Sequence, residues 1–405
     1  MNIKEFNWYC KSELTAKIIA DYDAHTVDVT NFKDDSYYLP FSPEIKPTWE
    51  QWQAVLQSHC PSKHNAFIQE TLKELALDHY DVLEIIKKTK GAMGHTNCTV
   101  ELANDDMPAS DNRISFWRGN QGKFCKSDRF YKADEYGYEA ASEYLTSEIL
   151  RHSNCTDYVT YEMVPDHYHY QNVARHCCES EVFFDGYPEG NEITLAEFMQ
   201  THSSPDDLKE LTDPNSKFRA RHTLSETISK LVDLIVTDTG LVDFGGYLTA
   251  VMELDALTRN DDRHYNNLSL IQFPNGLWKI TPIFDNGSGF GARDKDPASG
   301  GVYGTQGPWL FNEARYYKIG VRPFSSSFEK QVKACRSLYG PRLQIRNDID
   351  LSPAFERIAA VYGKPVADRM ESVWTLSQKK HEDMFVPKIT RPAYSSEQSR
   401  VQGSL

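Results

Sequence analysis

The sequence lacks three features that would place it in other protein classes: a long apolar run, cysteines at zinc-ligand spacing and an excess of positive charge. No stretch approaches the roughly 20 apolar residues of a membrane-spanning helix, and the first residues have no apolar core typical of a signal peptide. The eight cysteines include no Cys-x-x-Cys pair, which disfavours a zinc ribbon. The net charge of −14 at pH 7 opposes a broad nucleic-acid or anionic-membrane footprint. We therefore expect a cytoplasmic protein with no direct contact with nucleic acid or membrane.

Polar residues are concentrated in the stretch 260–267, Asn-Asp-Asp-Arg-His-Tyr-Asn-Asn, which is followed by Asp285 in a second short polar segment. Two apolar stretches joined by Asn-Gly lie between them, and this pattern predicts a hairpin that returns Asp285 to the side of the loop. Phosphoryl transfer needs one carboxylate for the acceptor hydroxyl, and an amide and a second carboxylate for magnesium on the phosphates. Asp262 is the candidate for the first role, and Asn267 and Asp285 are the candidates for the second. Taken alone, Asp-x-x-x-x-Asn is more often turn or capping chemistry.

A second candidate region lies upstream, in the basic, glycine-containing segment 113–123. Glycines let backbone N–H groups approach phosphate oxygens, and a lysine supplies the countercharge. A predicted strand follows at 129–134, and a helical pattern begins after Gly137. Glu143 on that helix lies eleven residues beyond Lys132 on the strand, and such a pair can hold a lysine against the α- and β-phosphates. The alternative is a surface ion pair that contributes about 0–1 kcal/mol.

Taken together, these motifs resemble the HipA-like serine/threonine kinases, the toxin components of bacterial toxin–antitoxin modules. The resemblance covers about two-thirds of the chain, from Arg113 to Val386. That family has a Gly-x-Gln-x-Lys loop before the ATP-binding lysine, an Asp-x-His-x-x-Asn catalytic loop, and a metal-binding aspartate after a hairpin. The matching residues here are Gly119, Gln121 and Lys123 in the first motif, Asp262, His264 and Asn267 in the second, and Asp285 in the third.

The resemblance implies an ATP- and Mg²⁺-dependent protein kinase that phosphorylates serine or threonine and can autophosphorylate. By the same resemblance, Lys132 contacts ATP phosphates, the two motif loops bind the nucleotide, and a small antitoxin-like protein is a partner. Ser115 occupies the place of an inhibitory autophosphorylation site, although a loop serine can equally satisfy a backbone group. Two alternatives stay open: a catalytically silent, nucleotide-binding interaction module, and a small-molecule phosphotransferase.

The expected fold class is α+β: a bilobal protein-kinase-like fold with a β-rich ATP-binding lobe and a mainly helical C-terminal lobe. We predict an N-terminal accessory region containing helices at 1–108, the ATP-binding lobe at 109–182 and the catalytic lobe at 183–388. The Ser- and Gln-rich segment 389–405 is predicted to be a flexible tail. In the accessory region, a Thr–Gln capping box at Thr48 predicts the start of a helix.

Overall fold

A computed structural model describes most of the chain. The described residues are 2–33, 39–65, 68–93, 97–103, 121–126, 129–170, 173–183, 187, 189–213, 221–274, 276–293 and 321–397. Their strands are β1 Ile3–Cys10, β2 Glu13–Asp21, β3 Thr26–Asn31, β4 Cys98–Leu102, β5 Lys123–Lys126, β6 Arg129–Ala133, β7 Glu162–Tyr170, β8 Val173–Glu181, β9 Asn191–Thr194, β10 Ser269–Gln272, β11 Trp278–Ile280, β12 Ile345–Arg346 and β13 Phe385–Val386. Their α-helices are α1 Trp49–Ser58, α2 Ile68–Glu74, α3 Val82–Thr89, α4 Glu139–Arg151, α5 Leu195–His202, α6 Pro205–Thr212, α7 Leu224–Thr239, α8 Phe244–Thr258, α9 Phe328–Tyr339, α10 Ser352–Tyr362 and α11 Lys364–Lys380. Sheets and helices are both extensive, as expected for an α+β chain.

The chain forms two compact units, and each is assembled from several segments. Unit 1 comprises Met1–Cys125, Phe183–Arg221 and Ser269–Lys279. Unit 2 comprises Lys126–Val182, His222–Leu268 and Ile280–Leu405. The consecutive division of the sequence into accessory region, lobes and tail stays a prediction. In the described part of the chain, none of the helices has both the length and the apolar character needed to cross a bilayer.

Unit 1 contains an antiparallel sheet of order β3-β2-β1-β4, which the sequence analysis did not predict. Alternate residues of β1, including Phe6 and Trp8, are fully buried, as expected when one face of a strand packs on a core. The turn between β1 and β2 places Lys11 and Ser12 at positive φ, 49° and 68°. Tight hairpins favour such backbone angles, and Asn-Gly is their usual sequence signal. Because this turn is Lys-Ser, only the alternation of apolar residues could have indicated it.

The helices of unit 1 include the one that the capping box predicts. The Thr48 side chain accepts the N–H of Gln51, and the Gln51 side chain accepts the N–H of Thr48. This cap starts α1, whose Trp52 is buried against Phe6 with ring centroids 5.1 Å apart. Asp81 caps α3 by accepting the N–H of Glu84 at 3.0 Å.

Unit 2 combines a sheet containing β6, β8 and β7 with helices α4 and α7 to α11. Every residue of α8 is buried, and most of them are apolar, as expected of a helix in the interior. Helix-like patterns in the sequence at 224–236 and 246–257 fall within α7 and α8. The α8 helix places the predicted catalytic loop, because it ends at Thr258, immediately before residues 260–267.

The predicted hairpin before Asp285 is present as β10 and β11, which are neighbours in the order β11-β10-β9. The N–H of Phe273 donates to the carbonyl oxygen of Leu277 at 2.9 Å. Gly276 adopts a φ of 73° in the connecting turn, which a residue with a Cβ rarely adopts. The chain leaves β11 at Ile280, only a few residues before Asp285.

The described part of the predicted flexible tail, 389–405, includes two packed residues. Tyr394 and Ala393 are buried, and the Tyr394 hydroxyl donates to the carbonyl oxygen of Asp157 at 2.9 Å. The N–H of Ala393 donates to the carbonyl oxygen of Asn154 at 3.1 Å. The buried Ala393 and Tyr394 therefore pack the start of this otherwise polar segment within unit 2. Residues 398–405 lie outside the described residues.

A buried histidine gives unit 2 a predicted pH dependence. Burial, together with the nearby cations of Lys380 and Arg259, lowers the pKa of His381 to about 4. The unfolded chain binds this proton at a pKa of about 6.5, so acidification from pH 6.5 toward pH 4 favours unfolding. Between pH 7 and pH 5 we expect His381 to account for about 1–2 kcal/mol of lost stability. Thermal unfolding of the wild type and His381→Gln should diverge over this range, and parallel melting curves would contradict the assignment.

Candidate active site

The centre of the candidate site is a buried ion cluster in unit 2. Strand β6 carries Lys132, helix α4 carries Glu143, and Asp285 follows the hairpin. The Lys132 ammonium pairs with Glu143, and its Nζ lies 2.5 Å from Oδ1 of Asp285. Lys132 is 1% exposed and Glu143 is fully buried. The sequence-predicted lysine, glutamate and aspartate therefore meet, and the surface ion pair that was the alternative is excluded.

Electrostatics keep this lysine charged. Burial lowers the pKa of Lys132, but the carboxylates of Asp285 and Glu143 outweigh it and raise that pKa well above its usual value. Burial also raises the pKa of Glu143, against the opposing effect of Lys132. The ring of Tyr161 lies 5.4 Å from the Lys132 Nζ and supplies a further favourable contact with a cation. Buried charges persist only when they are paired in this way.

The segment after Asp285 packs directly on α4. Glu143 accepts the N–H of Asn286 at 2.8 Å, and the Ser142 hydroxyl donates to the carbonyl oxygen of Asn286 at 2.6 Å. A Cβ added at Gly289 would lie 2.8 Å from the Ser142 Oγ, so a larger residue there would force Ser142 to shift. Asp285 itself has a φ of 59°, in the left-handed region that non-glycine residues seldom adopt and that often marks functional sites.

The predicted catalytic loop is stabilised by its own backbone and amide contacts. The carbonyl oxygen of Asp262 accepts the N–H of His264 at 2.9 Å and the Nδ2 of Asn267 at 2.9 Å. The carbonyl oxygen of His264 accepts the N–H of Asn267 at 2.8 Å, within a short 3₁₀ turn at Tyr265–Asn267. This closed loop presents the Asp262 carboxylate and the Asn267 side chain from one rigid segment.

Arg263 joins this loop to the Asp285 segment. Its Nη1 donates to the carbonyl oxygen of Asn267 at 3.0 Å and to that of Phe284 at 2.7 Å. Its Nη2 donates to the Oδ1 of Asn286 at 2.6 Å, and its Nε pairs with Asp255 at 3.0 Å. One buried guanidinium therefore holds together the two segments that carry Asn267 and Asp285. No local sequence pattern indicates this role of Arg263, because its partners lie up to 23 residues away.

His264 lies beside Asp262, with 4.0 Å between its Nε2 and the Asp262 Oδ1. Burial lowers its pKa, and this effect exceeds the opposing attraction of Asp262. The imidazole is therefore neutral at pH 7, and its ring nitrogens can serve as a donor and an acceptor rather than as a fixed charge.

Two further arginines contact the candidate base. Arg293 donates from Nη1 to the Asp262 Oδ2 at 2.7 Å, and the Arg322 Nη2 lies 2.9 Å from the Asp262 Oδ1. Both carboxylate oxygens of Asp262 are thus held by guanidinium groups. No local sequence signal marks these arginines, because they come from segments 31 and more residues downstream.

The donors at the predicted metal position suit a magnesium ion. The Asn267 Nδ2 is committed to the Asp262 carbonyl oxygen, so Oδ1 is the amide atom oriented for a cation. Asp285 adds a carboxylate, and two such oxygen donors are enough for Mg²⁺ that is also held by phosphates and water. Within the described ranges, no group of three or more His, Cys, Asp and Glu side chains forms a ready-made metal site.

The predicted glycine loop is only partly described. Ser115 and Gly119 lie outside the described residues. Gln121 is buried in unit 1, where its carbonyl oxygen accepts the Nδ2 of Asn65 at 3.4 Å, and Lys123 begins β5. Contact of these residues with a nucleotide stays a prediction.

Comparisons with known proteins bear on the fold. No protein-family model matches the chain, and no curated protein matches it in sequence. The chain is similar to the HipA protein of a Shewanella oneidensis MR-1 toxin–antitoxin system, whose structure was solved with HipB and operator DNA. The TM-score is 0.50 and the sequence identity is 10%, and the match covers 92% of this chain and 97% of HipA. The Helicobacter pylori proinflammatory kinase CtkA gives a TM-score of 0.42 and 13% identity, covering 67% of this chain and 91% of CtkA. The likeness to this HipA structure shows that the chain shares its fold, and the predicted α+β fold class is confirmed.

Proposed function

We propose that this protein is an ATP- and Mg²⁺-dependent phosphotransferase, and specifically a HipA-like serine/threonine kinase that can autophosphorylate. One observation supports this most strongly. A fully buried lysine is held by Glu143 and Asp285, and Arg263 fixes the Asp285 segment to the loop of Asp262 and Asn267. A buried lysine with only a structural role would not require the loop of Asp262 and Asn267 beside it. Phosphoryl transfer requires both the lysine that binds phosphate and the loop that carries the base and a metal ligand.

Each residue in the proposal has a separate task. Lys132 binds the α- and β-phosphates of ATP, with Glu143 holding its ammonium in position. Asn267 and Asp285 hold Mg²⁺, which neutralises charge on the phosphates. Asp262 orients the acceptor hydroxyl and takes its proton as the oxygen attacks the γ-phosphorus. The bond from that phosphorus to the β,γ-bridging oxygen breaks, and ADP leaves with the electron pair.

Transfer of label from γ-labelled ATP tests this proposal. Purified protein with Mg²⁺ and a casein-type acceptor should label the acceptor or itself, and chelation of Mg²⁺ should stop the transfer. Magnesium-dependent binding of ATP without ADP formation or label on any protein would contradict a kinase.

That last outcome would favour a catalytically silent module. The engagement of both Asp262 oxygens by Arg293 and Arg322 is compatible with such a module, because two guanidinium groups beside the carboxylate restrict the approach of an acceptor hydroxyl. A small-molecule acceptor is the remaining alternative, and ADP formation that depends on a metabolite rather than a protein would identify it.

The biological part of the proposal rests on the HipA likeness. We propose a cytoplasmic kinase with a small antitoxin-like partner, since the compared HipA was solved with HipB and operator DNA. The net charge of −14 favours contact with DNA through such a partner rather than directly. Ser115 remains the candidate autophosphorylation site.

A further inference from the structure

The candidate base, Asp262, is bound by one fixed and one exposed arginine. Arg293 is the fixed one. Its Nη1 donates to the Asp262 Oδ2 at 2.7 Å, its Nε donates to the Glu139 Oε1 at 3.2 Å, and its guanidinium lies 5.2 Å from the centre of the Tyr136 ring. A guanidinium with two carboxylate partners and an aromatic contact has little freedom to move.

The surroundings of Arg293 are equally constrained. Glu139 is fully buried and also accepts the N–H groups of Tyr136 and Gly137, both at 2.9 Å. A Cβ at Gly137 would lie 1.8 Å from the carbonyl oxygen of Ala292, so the residue before Arg293 is packed tightly. Burial alone would lower the pKa of Arg293, but the carboxylates of Glu139 and Asp262 have a larger, opposite effect. The pKa of Arg293 therefore lies above its usual value. Arg293 therefore stays charged and in place.

Arg322 is more exposed than Arg293 and is less constrained by its contacts. The Arg322 side chain is 61% exposed, whereas the Arg293 side chain is 27% exposed. Among the described residues, its ion pair is with Asp262, through a distance of 2.9 Å between Nη2 and Oδ1. Exposed ion pairs of this kind contribute little to stability. Arg322 can therefore leave Asp262 far more readily than Arg293 can.

This asymmetry determines how an acceptor reaches the base. A hydroxyl that hydrogen-bonds to Asp262 approaches one of its two carboxylate oxygens, and each oxygen keeps a lone pair beyond the one that its arginine occupies. Beside Oδ2 the guanidinium of Arg293 is fixed, whereas beside Oδ1 the exposed Arg322 can shift to admit the acceptor. The hydroxyl is therefore expected at Oδ1, next to Arg322. An acceptor with a carboxylate close to its hydroxyl offers the Arg322 guanidinium a new partner, whereas a neutral or basic acceptor offers none.

We propose that Arg322 is a specificity-determining residue that selects serine or threonine acceptors flanked by an acidic side chain. The inference rests on the proposed kinase function and adds the substrate class. The hydroxyl proton passes to the Asp262 Oδ1, the acceptor oxygen bonds to the γ-phosphorus, and the bridging oxygen leaves with ADP. Arg322 exchanges one carboxylate partner for another and keeps its proton throughout.

The proposal can be tested with three serine peptides of otherwise identical sequence. In the first the serine is flanked by aspartate, in the second by asparagine and in the third by lysine, and kcat/KM is measured with Mg-ATP for each peptide. We expect the wild type to prefer the aspartate peptide over the asparagine peptide roughly tenfold, as for one gained charge-assisted hydrogen bond. Arg322→Gln should lose this preference, and Arg322→Glu should prefer the lysine peptide. Arg346→Gln is the matched control, because Arg346 is an exposed arginine paired with Asp348 instead.

The outcomes separate this inference from the proposed function. Equal rates for the three peptides, or ADP formation with no label on any of them, would overturn the role of Arg322 and leave a phosphotransferase in place. A preference that survives unchanged in Arg322→Gln would also overturn it. No ADP formation under any condition would refute the proposed function, and the inference with it.

Discussion

Replacing Asp262 by alanine is expected to lower the rate of phosphoryl transfer roughly 10²- to 10⁴-fold, the usual contribution of a positioned proton acceptor. The Asp262 side chain is 21% exposed, and its loop is closed by the backbone of Asp262 rather than by its carboxylate. Binding of ATP should therefore change little, so the loss should appear in kcat. Initial rates with labelled ATP at several ATP concentrations measure this split.

Asp261 supplies the matched control for this experiment. It is the adjacent residue, it carries the same charge, and it is exposed. Asp261→Ala should retain nearly the full rate. Equal rates for the wild type and Asp262→Ala, with both proteins folded, would remove Asp262 from the catalytic assignment.

Replacing Glu143 by alanine is expected to reduce both stability and nucleotide binding. The substitution leaves Lys132 with Asp285 as its carboxylate partner in the cluster and removes the acceptor of the Asn286 N–H. Breaking a buried ion pair from one side costs about 3–5 kcal/mol, and the remaining contact with Asp285 places the expected loss at the low end. The thermal midpoint should fall by several degrees, and the KM for ATP should rise because Lys132 is no longer held in place.

Two further variants identify the cause of that loss. Glu148→Ala changes the same helix at a residue paired with Arg151, whose side chain is 43% exposed, and loss of a solvent-accessible pair should cost at most about 1 kcal/mol. Glu143→Gln keeps the size of the side chain and an acceptor for Asn286 but removes the charge, so its ATP KM reports on the ion pair itself. A Glu143→Ala protein as stable as Glu148→Ala would show that the buried cluster does not stabilise unit 2.

Local patterns in the sequence were sufficient to predict much of the fold. The capping box at Thr48, the helical spacing after Gly137 and the Asn-Gly turn before Leu277 each act within a few residues. The strands β1 to β3 were missed because their turn residues, Lys11 and Ser12, have no usual hairpin signature. The sequence therefore predicted the elements whose capping or turn residues are distinctive, and it did not predict those whose turn residues are ordinary.

The same distinction applies to the candidate site. Lys132 and Glu143 could be paired from the sequence because a strand and the following helix fix their spacing. Arg263, Arg293 and Arg322 could not, because each acts on partners outside its own element and nothing in its neighbours distinguishes it from a surface arginine. These arginines became candidates only once the distances were known.

Calorimetric titration of ATP into the wild type and Asp285→Ala, with and without Mg²⁺, tests the central claim most directly. If Lys132, Asn267 and Asp285 form the nucleotide and metal site, the wild type should bind ATP more tightly with Mg²⁺ than without it. Asp285→Ala should remain folded and lose most of this magnesium-dependent gain. A wild type that binds no ATP, or an Asp285→Ala protein that binds Mg-ATP as tightly as the wild type, would contradict the account.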